Sequence, residues 1–108
     1  MTGEVFAMGY FITTVRAKLR DADPAVAMDR HNGIVGRLRP QLEPKGGTSH
    51  MVFANAQDPT EFLAVDRWDS PEGLAALQDP AIQAELGSMF DGPPEVTVWE
   101  ARDGWTAY

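Results

Sequence analysis

Cysteine is absent from this chain of 108 residues. Its absence excludes disulfide bonds, thiolate nucleophiles and cysteine-ligated zinc or iron–sulfur sites. The chain also lacks any run approaching the ~20 apolar residues of a transmembrane helix. Its opening residues, Met1-Thr2-Gly3-Glu4, carry no basic segment of the kind that begins a secretory signal. We therefore expect a cytoplasmic protein without a membrane anchor.

Basic residues are also few. Nine Lys and Arg oppose sixteen Asp and Glu, so the formal net charge is −7. Binding to a phosphate backbone requires several basic side chains on one surface, and the sequence contains no such cluster. The same deficit disfavours an anionic membrane surface. We expect neither nucleic acid nor a membrane as a partner.

The residues that are present suit a small folded domain. Hydrophobic residues make up 44% of the chain and charged residues 23%, which is enough apolar surface for a packed core. The length predicts one domain over residues 1–108, with tails at 1–8 and 101–108. A domain of this size has a thin margin of stability, so a partner chain would help.

Local patterns predict the order of helices and strands. Runs rich in β-branched and aromatic residues predict strands at residues 10–17, 49–54, 61–68 and 95–100. N-cap residues followed by proline mark three helix starts, at Asp23-Pro24, Ser70-Pro71 and Asp79-Pro80. We expect the first helix to end at Pro40 and the last to continue to Phe90. This order predicts an α+β, ferredoxin-like (split βαβ) fold, with a four-stranded antiparallel sheet and helices on one face.

The predicted strands are apolar on both faces. In the third strand Phe62 and Trp68 lie on one face, while Leu63 and Val65 lie on the other. Helices cover only one face of such a sheet. We expect the equivalent sheet of another protomer to cover the second, which predicts a homodimer with a barrel-like interface.

A family resemblance rests on the third strand and the residues after it. That strand ends in a tryptophan followed by an acidic residue and a helix start, in the segment 64–73, AVDRWDSPEG. A second helix start, Asp79-Pro80, and the closing segment 92–99, GPPEVTVW, complete the pattern. Over residues 9–105 the chain resembles the dimeric α+β barrel superfamily, and within it the antibiotic biosynthesis monooxygenase-like proteins.

This resemblance implies a dimeric α+β barrel and an oxidative activity. Characterised members of the family oxidise anthrones and quinols with dioxygen and no cofactor, and one branch degrades haem. Trp68 matches the family's pocket tryptophan. The usual histidine on the following helix is missing, since residues 74–83 contain none. That departure counts against the haem-degrading branch.

Three ionisable residues are candidates for proton transfer. His50 lies in the second strand and His31 on the apolar stripe of the first helix, and a histidine titrates near working pH. Asp66, in the strand that carries Trp68, is a carboxylate partner that a buried imidazole would need. The alternative for each is a structural hydrogen bond. The three come from separate elements without metal-ligand spacing, so we predict no metal site.

Three further residues are candidates for substrate contact. Trp68 has a ring that could stack on a flat substrate, and Asn32 could supply a polar contact, as could Arg16. The alternatives are a core tryptophan and solvated surface side chains.

The sequence thus predicts a cofactor-independent monooxygenase-like homodimer acting on a small hydroxylated aromatic of the quinol or anthrone type. In this hypothesis His50 or His31, steered by Asp66, removes a proton from a substrate held against Trp68. Two alternatives remain open. One is a non-catalytic, small-ligand-binding or stress-associated dimer, and the other is an oxygen-independent acid–base enzyme on the same scaffold.

Overall fold

The computed structural model describes residues 9–105. The predicted tail at 1–8, and Tyr108 in the second predicted tail, lie outside the described residues. Trp105 is described and is largely exposed, with the Arg102 guanidinium 5.7 Å from its ring centre.

The described chain forms four strands and three helices. In chain order they are β1 (Phe11–Lys18), α1 (Pro24–Leu42), β2 (Gly47–Asn55), β3 (Asp58–Trp68), α2 (Pro71–Ala76), α3 (Pro80–Gly87) and β4 (Glu95–Glu100). The strands form one sheet in the order β2-β3-β1-β4, and each neighbouring pair is antiparallel. The helices pack on one face, so the predicted ferredoxin-like α+β fold is confirmed.

The hairpin between β2 and β3 is tighter than the sequence suggested. Asn55 pairs with Asp58, and the Asn55 side chain accepts a hydrogen bond from the Gln57 backbone N–H at 2.8 Å. The predicted strand start at residue 61 is therefore wrong, and β3 begins three residues earlier. Pro59 is tolerated because it lies at the start of its strand.

Two predicted helix ends are also wrong. The first helix continues through Pro40 to Leu42, and a 3₁₀ turn comes next at Glu43–Lys45. Proline removes only its own N–H donor, and the Glu43 N–H still bonds to the Arg39 carbonyl. The last helix, α3, ends at Gly87. Phe90, which was expected in that helix, instead forms an isolated β-bridge with Leu19, the residue after β1.

The hydrophobic core lies between the helices and the sheet. Its buried members are Ile34, Leu38, Phe62, Ala64, Ala76, Ile82, Met89 and Phe90. The opposite face of the sheet carries Met51 and Phe53 of β2 and Trp99 of β4, all of them exposed in the single chain. Homodimerisation through that face stays a prediction.

Candidate functional site

A cavity of about 370 Å³ opens between α1 and the helix-covered face of the sheet. This volume is at the lower end of the ~300–1,000 Å³ of small-molecule pockets. The side chains that form its apolar wall are Val15, Val35, Leu38, Leu42, Phe62, Ala64, Trp68, Leu77, Leu86, Met89 and Phe90. Its polar lining comes from His31, Arg39, Glu43, Gly47, Thr48, Ser49, His50 and Asp66. Most of the wall surface is therefore apolar.

The pairing of β2 with β3 places an imidazole against a carboxylate. His50 lies directly opposite Asp66 in the register, and both side chains point to the helix-covered face. Nδ1 of His50 donates to Oδ1 of Asp66 at 2.5 Å. A hydrogen bond to a carboxylate is stronger than one between neutral groups, and this bond fixes the orientation of the His50 ring.

The first helix adds the second histidine. His31 lies on the same helix side as the buried residues Ala27, Ile34 and Leu38, which pack toward the sheet. Its Nε2 is 2.9 Å from Nε2 of His50, and its ring centre is 6.0 Å from that of Phe62. Asp66 is the partner expected for a buried imidazole, and His31 reaches this carboxylate through His50.

Asn32 completes this row of polar groups from the outside. Its Oδ1 is 2.9 Å from Nδ1 of His31, and the residue is exposed and lies outside the cavity lining. The structure therefore places Asn32 against a candidate proton acceptor. Arg16 lies on the opposite face of the sheet, in an ion pair with Glu61 at 2.6 Å.

The ring of Trp68 forms part of the cavity wall, whereas its indole N–H is hydrogen-bonded to the neighbouring strand. The residue is only 3% exposed, and its indole N–H donates to the Thr13 hydroxyl at 3.0 Å. Thr13 is fully buried on the neighbouring strand β1. A ligand in the cavity can therefore meet the hydrocarbon surface of the ring.

Sequence reasoning missed three parts of the site. Thr13 anchors Trp68, but the pairing of β1 with β3 that brings them together cannot be read from either strand alone. Arg39 and Glu43 form an ion pair at the cavity, and their spacing of four residues was the available signal. Phe62 and Phe90, with ring centres 5.2 Å apart, form an aromatic part of the wall, and Phe62 lies beside His31.

The arrangement can accept and hold a proton in apolar surroundings. Both histidines of the chain lie in the cavity lining, and one of them is tied to a carboxylate. Within residues 9–105 no cluster of three or more His, Asp or Glu side chains is arranged to hold a metal ion. Over the same range, no helix is both long and apolar enough to cross a membrane.

Solved structures identify the fold. SnoaB, a cofactor-independent oxygenase from Streptomyces nogalater studied as a variant, superposes with a TM-score of 0.62 at 13% identity, covering 90% of this chain and 95% of its own. A protein named antibiotic biosynthesis monooxygenase superposes with a TM-score of 0.64 at 10% identity, covering 85% and 98%. The chain has the antibiotic biosynthesis monooxygenase-like fold. A conserved protein from Methanosarcina mazei shares it, with a TM-score of 0.65 at 11% identity and coverage of 89% and 96%.

Sequence comparison adds no relative to these structures. No protein-family model matches the chain, and no curated protein matches it. The antibiotic biosynthesis monooxygenase-like fold therefore comes from the structure, and the chemistry must be argued from the cavity. In this chain the histidines of the cavity come from α1 and β2, since residues 71–87 contain none.

Proposed function

We propose that the protein is a cofactor-independent oxygenase that oxidises a small hydroxylated aromatic compound, of the quinol or anthrone type, with dioxygen. One observation carries the proposal: the row His31–His50–Asp66 opens into a cavity whose wall is mostly apolar and includes three aromatic rings. The fold shared with SnoaB, which is described as a cofactor-independent oxygenase, agrees with it.

The histidine pair begins the reaction by removing a proton. A phenolic or enolic hydroxyl at the cavity gives its proton to the imidazoles, and the Asp66 carboxylate stabilises the positive charge that results. The substrate anion is then electron-rich enough to reduce dioxygen. For an anthrone, a CH₂ group becomes C=O, one oxygen atom enters the product, and the other leaves with the two hydrogens as water.

The remaining wall holds the ring system. Trp68, Phe62 and Phe90 offer flat hydrocarbon surfaces on which an aromatic substrate packs. Their burial also keeps bulk water away from the reactive anion. Trp68 is accordingly assigned to substrate binding, through its ring rather than its N–H group.

Oxygen uptake tests this function. Pure protein without a histidine tag is mixed with anthrones, hydroquinones and catechols in turn, and dioxygen consumption is followed with an electrode. We expect consumption above the uncatalysed rate with at least one compound, and a loss of ~10²-fold or more in His50→Gln, as for a general base. Gln78→Ala, a change at an exposed residue, is the control. A flat trace across the whole panel contradicts the proposal.

The same histidine row also favours a second candidate, an acid–base enzyme that does not use oxygen. Incubation of the same panel in D₂O without oxygen separates the two. Deuterium incorporation or isomerisation that requires His50, together with no oxygen uptake in air, supports the acid–base enzyme. Binding of a panel compound with neither activity supports a ligand-binding protein.

A further inference from the structure

The donors and acceptors around the two histidines determine where their protons lie. A carboxylate only accepts hydrogen bonds, so Nδ1 of His50, at 2.5 Å from Asp66 Oδ1, carries a proton. An amide oxygen likewise only accepts, so Nδ1 of His31, at 2.9 Å from Asn32 Oδ1, carries a proton as well. Each ring is thereby supplied with the one N–H that a neutral imidazole possesses.

With the amide oxygen of Asn32 facing His31, a third proton lies between the rings. The two Nε2 atoms are 2.9 Å apart, the ring planes differ by 15°, and the ring centres are 5.1 Å apart, so the nitrogens point at each other. Two neutral rings already protonated at Nδ1 would present two lone pairs across this gap, which is repulsive. An N–H···N bond requires one more proton, so the arrangement holds three protons on four nitrogens.

We propose that His31 and His50 form one proton-binding unit that holds a single added proton between their Nε2 atoms. The neighbouring carboxylate of Asp66 balances its positive charge. A second proton is strongly disfavoured, because it would set two imidazolium N–H groups against each other at hydrogen-bonding distance. The pair therefore accepts one added proton and not two.

Asn32 is the positioning residue of this unit. When the added proton leaves, one ring must present N–H and the other a lone pair across the gap. Because Asp66 keeps the proton on Nδ1 of His50, the N–H at the gap comes from His31, whose Nδ1 then needs a donor. The amide of Asn32 supplies one by turning its NH₂ group inward, and the exposed position of Asn32 leaves room for that turn.

The other charged groups facing the pair are few. Among the described residues, the cavity lining adds only Arg39 and Glu43, and they form an ion pair with each other. The lining from the helical region beyond β3 is apolar, from Leu77, Leu86, Met89 and Phe90. Asp66 is thus the main group that balances the added positive charge. Asn32 is the group whose amide turns when that proton is gained or lost.

This inference deepens the proposed function, on which its catalytic meaning rests, by making the base a histidine pair rather than either ring alone. Its test needs no substrate. The chain contains only two histidines, so every imidazole signal in the ¹⁵N NMR spectrum of the tag-free, full-length protein belongs to this unit. Between pH 5 and 8 we expect both rings to respond with one common midpoint and to take up one proton in total. Two separate midpoints, or uptake of two protons, would overturn the inference.

Substitution of Asn32 tests its own role. Asn32→Asp replaces a turning amide with a group that only accepts and is negatively charged, so we expect the common midpoint to rise by about 1–3 pH units. Gln41→Glu makes the same change at an exposed position further along α1 and is expected to leave the midpoint in place. Equal midpoints in wild type and Asn32→Asp would show that Asn32 does not position the pair. Absence of oxygen uptake would leave these NMR results unaffected, so the two proposals fail separately.

Discussion

At the scale of single residues, the candidate site depends on a hydrogen bond between a carboxylate and an imidazole. The Asp66 side chain is 19% exposed and His50 donates to it, so water screens the pair only partly. An imidazole oriented in this way accepts a proton from a substrate without first rearranging. The alternation of strand residues predicts that His50 and Asp66 share the helix-covered face. Their direct opposition depends on the register of β2 and β3, which neither strand encodes alone.

Replacement of this carboxylate tests its contribution. Asp66→Asn keeps the size of the side chain but removes the charge that stabilises the protonated histidine pair. We expect the oxygenase rate to fall by ~10²-fold or more with the fold retained, as measured by oxygen uptake and circular dichroism. Asp69→Asn is the matched control, since Asp69 is exposed and paired with Arg67 at 3.0 Å. Equal rates in Asp66→Asn and wild type would remove Asp66 from the mechanism.

A second carboxylate is expected to link the stability of the fold to pH in acid. The hydroxyl of Thr60, the ammonium of Lys18 and the Thr60 backbone N–H all donate to Asp58, and together they lower its pKa from 3.8 to about 2. A lowered pKa in the folded state means that the ionised carboxylate stabilises the fold. That contribution is complete above the unfolded value of 3.8 and is lost as the pH falls through about 2.

Asp58→Asn should therefore flatten the pH dependence of the free energy of unfolding between about pH 4 and pH 2. Denaturant titrations at several pH values in this range measure the effect. Asp103→Asn, at an exposed position beyond β4, serves as the control and should keep the wild-type slope. An unchanged slope in Asp58→Asn would show that the hairpin carboxylate is not linked to folding.

At the scale of elements, α2 fits onto the cavity tryptophan because it carries a glycine. A Cβ atom at Gly73 would lie 2.1 Å from Cε3 and 2.5 Å from Cζ3 of Trp68, and 3.0 Å from the Lys45 carbonyl oxygen. The indole cannot move away freely, since its N–H is bonded to Thr13. The close approach of α2 to β3 is thus encoded by one residue without a side chain.

Gly73→Ala is expected to destabilise the fold by ~1–3 kcal/mol, as overpacking of a core does. Gly36→Ala is the control, because nothing lies within 4 Å of a Cβ atom there and alanine is the better helix former. That change in α1 should stabilise the protein by up to ~1 kcal/mol. Urea unfolding of both variants measures the two effects. A Gly73→Ala variant as stable as wild type would mean that the indole shifts easily.

The helices and strands could be predicted where the signal lies in residues close together in the chain. They were predicted less well where a contact between distant segments sets the ends of an element. Asp79 accepts from the Ala81 N–H as the expected N-cap of α3, because that bond joins residues close in the chain. Ser70 also precedes its helix as expected, but its hydroxyl donates to the Lys45 carbonyl instead of capping α2. The early start of β3 and the bridge from Phe90 to Leu19 likewise come from pairing between separate segments.

At the scale of the whole molecule, one face of the sheet has no covering layer within the single described chain. Met51, Phe53 and Trp99 expose 58%, 45% and 54% of their surface there. An apolar area of this kind on a small domain is typical of a protein interface. The face is a sheet, so a second copy offers a self-complementary surface under two-fold symmetry. This is the basis of the predicted homodimer.

A matched pair of methionines tests that assembly. We expect wild type to sediment as a dimer at micromolar concentration, and Met51→Glu to weaken the dimer about tenfold or more, because a buried carboxylate without a partner is costly. Met28 is 56% exposed, close to Met51 in exposure, but lies on α1 on the helical side of the sheet. Met28→Glu adds the same charge and should leave the dimer intact. A monomeric wild type, or equal weakening by both variants, would exclude this face as the interface.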